Sequence, residues 1–125
     1  MNEPLPISVC VVARNEEKNL PRLLQSVFGW VSEIVVVLNN TTDTSAEIAA
    51  RFGARIEHHP WIGYRDTKNA ALGFVSMPWI LALDADEEVS PALHEEIIGF
   101  FFKRLAPALL GSSFSSEKLV SGPLD

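Results

Sequence analysis

The sequence predicts an α/β fold, a three-layer, mostly parallel sheet of the Rossmann-like kind. Three observations carry this. Short apolar runs alternate with segments of helical period, the runs are rich in valine and isoleucine, and each run ends abruptly in a polar cluster. Continuous apolar runs suit strands buried on both faces, and strand–helix alternation suits parallel pairing with right-handed crossovers. Residues 7–13 form the first such run, and Asn15-Glu16-Glu17 breaks it. Asn19 is the expected N-cap of a helix with Pro21 in its first turn, and Leu20, Leu23, Leu24 and Val27 share one face. A second strand spans 33–38. The polar segment 39–45 leads into a helix that turns Ala46, Ile48, Ala49 and Phe52 inward and ends at Gly53. The run 54–58 is less apolar and is placed nearer a sheet edge. Residues 60–64 connect it to a helix over 64–75 that packs Ala70, Ala71 and Phe74. After Pro78 comes a fourth strand, 79–83, and Ser90-Pro91 opens a further helix.

In such sheets ligands bind outside the carboxyl ends of the strands, at a topological switch point. Three polar clusters fall at those ends: Arg14-Asn15-Glu16, residues 39–43 and residues 84–87. The sheet is therefore expected to bring three separated segments to one rim.

Composition narrows the function. The 125 residues suit one small domain, with 47% hydrophobic residues and a formal net charge of −6. No basic cluster is present to meet a phosphate backbone, so nucleic acid is not an expected partner. The single cysteine, Cys10, lies in an apolar run and reads as a core residue in a reducing compartment. Met1 is not followed by a basic and then a long apolar segment, and no window reaches the roughly 18 apolar residues of a membrane span. A cytoplasmic protein is expected, with attachment to the inner face of a membrane left open. Residues 1–104 read as the domain. Residues 105–125, with two prolines, two glycines, five serines and no clear period, read as an irregular tail. Phe100-Phe101-Phe102 before it would be partly exposed unless covered.

The most informative segment is Trp79 through Glu88, an apolar strand ending in Asp84-Ala85-Asp86-Glu87-Glu88. Carboxylate oxygens suit Mg2+ or Mn2+, and Mg2+ is commonly shared between one or two carboxylates and substrate phosphates. Alone, such a cluster is more often a solvated helix entry. Lys68 reads equally as a diphosphate ligand or as the partner of an acidic neighbour. His58 and His59 point to opposite faces of a strand and do not chelate together. His94 is expected at the surface, and Trp30, Trp61 and Trp79 are expected to pack in the core rather than stack on a base.

Taken together these segments resemble the family 2 glycosyltransferases, of the GT-A fold. Residues 7–17, ending Ala-Arg-Asn-Glu-Glu, resemble that family's first strand and its Thr-Arg-Asn-Glu-Glu signature. Residues 33–37 followed by Thr41-Thr42-Asp43 resemble its second strand and Ser-Thr-Asp loop. Gly63-Tyr64 with Lys68-Asn69-Ala70-Ala71-Leu72 resembles its Gly-Tyr…Gln-Lys-Asn-Phe-Ala-Leu segment, and residues 83–90 resemble its Asp-x-Asp block. The nearest branch is similar to the lipopolysaccharide core β-glucosyltransferases. The resemblance implies transfer of a hexose from a nucleotide diphosphate sugar, expected to be UDP-linked, to a glycan or lipid acceptor, with Mg2+ or Mn2+. It places Asp86 on the metal, Asp84 on the ribose or a metal-bound water, and Arg14, Asn15, Glu16, Asn39, Asp43, Lys68 and Asn69 around the donor. Two positions depart from the pattern. Leu38-Asn39-Asn40 stands where an acidic residue and a glycine are usual, and Thr44 replaces the glycine after Asp43. No carboxylate after Ser90 has a matching context, so the catalytic base is expected outside this chain, as in a truncated or frameshifted sequence. The alternative is a non-catalytic nucleotide-sugar-binding or protein-interaction fragment. A nucleotidyltransferase would carry a Gly-rich, basic first loop, which Ala13-Arg14-Asn15-Glu16 is not.

Overall fold

At the centre of the sheet is β1 (Leu5–Ala13), whose Ile7, Val9 and Val11 are fully buried. The computed structural model describes residues 4–105 and 119–121, with side-chain surroundings given for residues 4–101. The other elements follow in the order α1 (Leu20–Val27), β2 (Val31–Leu38), α2 (Ser45–Arg51), β3 (Arg55–His58), α3 (Tyr64–Leu72), β4 (Trp79–Asp84), α4 (Pro91–Leu105) and β5 (Leu119–Ser121). The sheet order is β3-β2-β1-β4-β5. The first four strands pair in parallel, so the architecture is the expected mostly parallel α/β sheet, and β3 stands at one edge as its weaker apolar pattern predicts.

The strand order locates the switch point. The chain steps outward from β1 to β2 to β3, then crosses back to place β4 on the other side of β1. In open α/β sheets such a crevice, here between β1 and β4, is the usual place for a ligand. There Val12 of β1 pairs in register with Asp84 of β4.

Period-2 alternation sorts the side chains onto two faces. On one, Val9, Val11, Val36, Leu38, Leu81 and Leu83 pack against α1, α2 and α4 in the larger core. On the other, Cys10, Val35, Val37 and Ile80 pack against Ala71 of α3. Each fully buried Val, Leu or Ile contributes roughly 1.5–3 kcal/mol by leaving water. Among the described residues α3 is the helix packed on that face, and Asp84, two residues beyond Ala82 and four beyond Ile80, emerges on it.

The structure refines several expectations. Asn19 does not cap α1 through its side chain. It is already helical, at φ −97° and ψ −28°, and its backbone N–H and that of Leu20 both donate to the Glu16 carbonyl, at 3.0 and 2.9 Å. The helix over 64–75 stops at Leu72, where Gly73 and Phe74 close it with tighter bonds to Ala70 and Ala71. Within the stretch 105–125 expected to be irregular, Leu119–Ser121 pairs antiparallel with β4 and covers its open edge. The rest of that stretch lies outside the described residues, as does the side chain of Phe102. Phe101 is buried and Phe100 half-buried, both edge-on to Trp79 at 5.4 and 5.1 Å. His94, expected at the surface, is half-buried. It stacks on Trp30 at 3.9 Å with its Nε2 buried, because α4 lies across the loop after α1.

Cys10 is 5% exposed, and burial pushes its thiol up to about 11, with Lys68 opposing weakly. Only the thiolate is nucleophilic. Ellman's reagent at pH 8 is therefore expected to leave the folded chain unmodified and to react with one thiol per chain in denaturant. Rapid modification without denaturant would show that Cys10 is not where the core places it.

Candidate functional site

Two loops are stitched together at the rim. Asn15 takes a left-handed backbone (φ 53°), which asparagine tolerates better than most residues. This turns its side chain across to the β2–α2 loop, where Oδ1 accepts from the backbone N–H of Thr42 and Asp43 at 2.8 and 3.2 Å. Asp43 reciprocates. Its Oδ1 accepts from the Ser45 N–H (2.9 Å) and hydroxyl (2.6 Å), and its Oδ2 from the Glu17 N–H (3.2 Å). Glu17 Oε1 accepts from the Thr44 hydroxyl and N–H, and the Ser45 hydroxyl accepts from the Glu16 N–H. The backbone donors of Glu16, Glu17, Thr42, Asp43 and Thr44, in the loops that enter α1 and α2, are thus satisfied by side chains of the opposite loop.

This lattice depends on pH. The Glu17 carboxyl is held below its ordinary range by the hydroxyl and N–H of Thr44. For Asp43, slight desolvation pushes upward but is outweighed by the donors from Ser45 and Glu17, so it too is depressed. Groups depressed in the folded state add stability above the ordinary carboxylate range and lose it as pH falls through their lowered values. Thermal melts from pH 6 to pH 2 are expected to show a falling midpoint, and Asp43→Asn a shallower fall from a lower start. Identical pH slopes for the two proteins would remove Asp43 from this role.

The acidic block divides its labour. Glu87 Oε1 accepts from the Asp84 N–H at 2.8 Å and closes the turn after β4. Glu88 pairs with Arg22 of α1 at 2.8 Å, and the same guanidinium reaches the Asp86 carbonyl at 3.4 Å. Asp84 Oδ1 is engaged by Lys68 Nζ and by the Tyr64 hydroxyl at 3.3 Å. Lys68 also lies 4.9 Å from the centre of the Tyr64 ring. Partial burial works against its charge, but the bonds to Asp84 and Tyr64 outweigh that and hold the ammonium above its usual range. Of the two readings of Lys68, the structure realises the acidic partner. Asp86 is exposed, and its carboxylate has no hydrogen bond or ion pair among the described residues.

Two adjoining cavities open at the switch point, each of about 310 Å³. One is lined by Tyr64, Lys68, Asp84, Ala85 and Asp86, the other by Ala13, Arg14 and Asn39, and Val12, Glu16 and Trp61 line both. Six of the expected site residues, Arg14, Glu16, Asn39, Lys68, Asp84 and Asp86, therefore share one cleft. The other three do not line it. Asn15 and Asp43 are turned to the loop lattice, and Asn69, one helical position past Lys68, is exposed and points elsewhere. Leu38, at the usual acidic position, is 1% exposed in the larger core, so it is Asn39 that faces the cleft.

Three contributors were not foreseen. Arg22 braces the acidic turn, Tyr64 holds Asp84, and Trp61, 49% exposed, forms a wall of both cavities instead of joining the core. The Tyr64–Lys68 spacing of four residues on one helix was the available signal for the second. Among the described residues no group of three or more His, Cys, Asp or Glu side chains is placed to hold a metal. The donor set nevertheless fits a hard cation shared with phosphates, which asks for one or two carboxylates and not a full protein cage. Asp86 is the carboxylate available for that.

Comparison with known proteins bears on the family and the fold. Residues 8–117 match the glycosyl transferase family 2. An uncharacterized glycosyltransferase of Rickettsia typhi is 38% identical over 91 residues, 73% of this chain and 31% of that protein. The lipopolysaccharide core biosynthesis glycosyltransferase LpsC of Rhizobium meliloti is 32% identical over 130 aligned positions, 92% of this chain and 47% of LpsC. The chain thus spans about a third of the Rickettsia relative and about half of LpsC. Among solved structures, S. aureus TarS in complex with UDP-GlcNAc superposes with a TM-score of 0.63 at 22% identity, covering 79% of this chain and 32% of TarS. The glucosyl-3-phosphoglycerate synthase of Mycobacterium tuberculosis, in complex with Mn2+, UDP and glucosyl-3-phosphoglycerate, gives 0.55 at 23% identity, covering 76% of this chain and 39% of that one.

Proposed function

We propose that this chain, which belongs to glycosyl transferase family 2, binds a nucleotide diphosphate sugar, UDP-linked, as the donor-binding part of a hexosyltransferase. The observation that carries the reading is the paired cavity at the β1/β4 switch point, with an ammonium and a free carboxylate at one end and a buried amide at the other. A nucleotide laid along it would set its diphosphate beside Lys68 and Asp86 and its nucleoside beside Arg14, Glu16 and Asn39. Asp86 would hold Mg2+ or Mn2+. Such a cation, when bound, supplies neutralisation of the charge that develops on the leaving diphosphate. Lys68 and Tyr64 keep Asp84 fixed at the edge of the same cavity, in reach of a ribose hydroxyl or a metal-bound water.

Residues 1–104 are the donor-binding domain in this reading. The acceptor is a glycan or lipid, with lipopolysaccharide core the leading candidate, because LpsC matches nearly the whole chain. Work on such an acceptor suits a cytoplasmic protein at the inner membrane face. Among the described residues no helix is long and apolar enough to cross a membrane. Transfer with inversion also needs a carboxylate within hydrogen-bond reach of the acceptor hydroxyl.

Calorimetry of UDP-glucose and UDP, with and without Mn2+, tests the reading. Metal-dependent binding is expected. Its absence in the folded chain would overturn the donor site, and binding without turnover on any acceptor would mark a nucleotide-sugar-binding fragment.

A further inference from the structure

Beyond β4 the acidic turn leaves the sheet. Its last ladder position is Asp84, paired with Val12. Ala85 and Val89 are buried in the larger core, so residues 86–88 form a short arch between two anchors. Two side chains of α1 hold that arch. Ser26 Oγ accepts from the Val89 N–H at 2.9 Å. One turn earlier on the same helix, Arg22 spreads its guanidinium over three acceptors. Nε meets Glu88 Oε1 at 2.8 Å, and Nη2 reaches the Asp86 carbonyl at 3.4 Å and Asn19 Oδ1 at 3.3 Å. The Asn19 amide in turn donates to Glu16 Oε1 at 3.0 Å, and Glu16 lines both cavities. A line of side chains therefore runs from the end of β1 to the turn after β4, through Arg22.

This line adds little to the stability of the fold. The Arg22 and Glu88 side chains are 52% and 47% exposed, and ion pairs so open to water are worth little. What it supplies is placement. Asp86 makes no side-chain hydrogen bond among the described residues, and the hydrogen bond that ties its peptide to another element comes from Arg22.

We propose that Arg22 is the positioning residue for the Asp86 carboxylate, fixing the arch against α1 so that the carboxylate is presented to a cation in the cleft; the proposal rests on the nucleotide-sugar reading above. The guanidinium suits this because it is a planar fork with donors set at fixed angles. Lysine at this place would keep the charge and could meet Glu88, but one ammonium does not span Glu88, the Asp86 carbonyl and Asn19 together. Charge and position lead to opposite results. Acting through charge alone, Arg22 would repel a cation held by its neighbour. Its removal would then tighten metal binding, and its replacement by lysine would change nothing. Acting through position, it is missed in both substitutions, and both weaken the metal.

The test is calorimetry of UDP with and without Mn2+ on the full chain, on Arg22→Lys and Arg22→Ala, and on each with Asp86→Ala added. Each single variant is expected to raise Kd in Mn2+ by about tenfold, as loss of a residue that orients a metal ligand does. The metal-free Kd should not move, because the Asn19 amide still holds Glu16. In the Asp86→Ala background neither substitution should change Kd, a result that general loosening of the fold would not give. Urea melts should place both single variants at the midpoint of the parent, and Arg22→Lys decides the matter if Arg22→Ala fails to fold. A parent-like Mn2+ response in Arg22→Lys overturns the proposal. So do tighter binding in Arg22→Ala, equal weakening with and without metal, and an undiminished effect beside Asp86→Ala. Each of these leaves the donor-site reading standing. Absence of Mn2+-dependent UDP binding in the parent overturns that reading and this proposal together.

Discussion

Asp86→Ala is expected to abolish the Mn2+ dependence of UDP-glucose binding, raising the dissociation constant in Mn2+ by about 100-fold, or roughly 3 kcal/mol, while leaving the metal-free value unchanged. The reasoning is one of elimination among neighbours. Glu87 is spent on the turn after β4, Glu88 on Arg22, and Asp84 Oδ1 on Lys68 and Tyr64. Asp86 alone in the block presents an exposed carboxylate with nothing bound to it. The substitution should also be structurally mild, since Arg22 contacts the backbone carbonyl of residue 86 and not its side chain. Exposed substitutions away from packing usually shift stability by less than about 0.5 kcal/mol. Calorimetry with and without metal, beside a urea melt, separates the two effects. A variant that keeps the parent's Mn2+ response would move the metal away from Asp86.

β1 and β2 were legible because they are near-continuous apolar runs rich in valine and isoleucine, as strands covered on both faces are. The convergence of Arg14, Asn39 and Asp84 was legible for the same reason, since strand ends in a parallel sheet share one rim. What the pattern could not supply was how each polar group is occupied once it arrives there. Asp43 and Asn15 bond the opposite loop, a choice fixed by the left-handed turn at Asn15 and the approach of α1 to α2. Lys68 finds Asp84 because α3 lies across the face on which Asp84 emerges. Trp61 is more exposed and His94 more covered than expected, for a similar reason. Local sequence sets an apolar or polar character, but which helix passes overhead decides whether a ring is covered.

Leu38→Asp bears most directly on the departure from the family pattern. Restoring the usual acidic residue would, on sequence reasoning, strengthen nucleotide binding. The structure leads to the opposite expectation. Leu38 pairs in register with Ala13 and His58, is 1% exposed, and projects into the larger core, on the face away from the cleft. A carboxylate there would lose its hydration with no cation to replace it, and it would also vacate the volume of a leucine. Leucine-to-alanine truncation alone costs about 2–5 kcal/mol in such sites, and an uncompensated buried charge costs several more or forces the group to stay protonated. Against a total stability of about 5–15 kcal/mol for a domain of this size, that is enough to unfold it near neutral pH. The variant is expected to lose its cooperative urea transition at pH 7 and to regain part of it near pH 4, where the neutral acid is easier to bury. Sign follows from linkage: the folded-state pKa of the new group is raised, so its penalty grows as pH rises above the ordinary carboxylate value. A folded Leu38→Asp at pH 7 with tighter UDP binding than the parent would show instead that position 38 turns to the nucleotide.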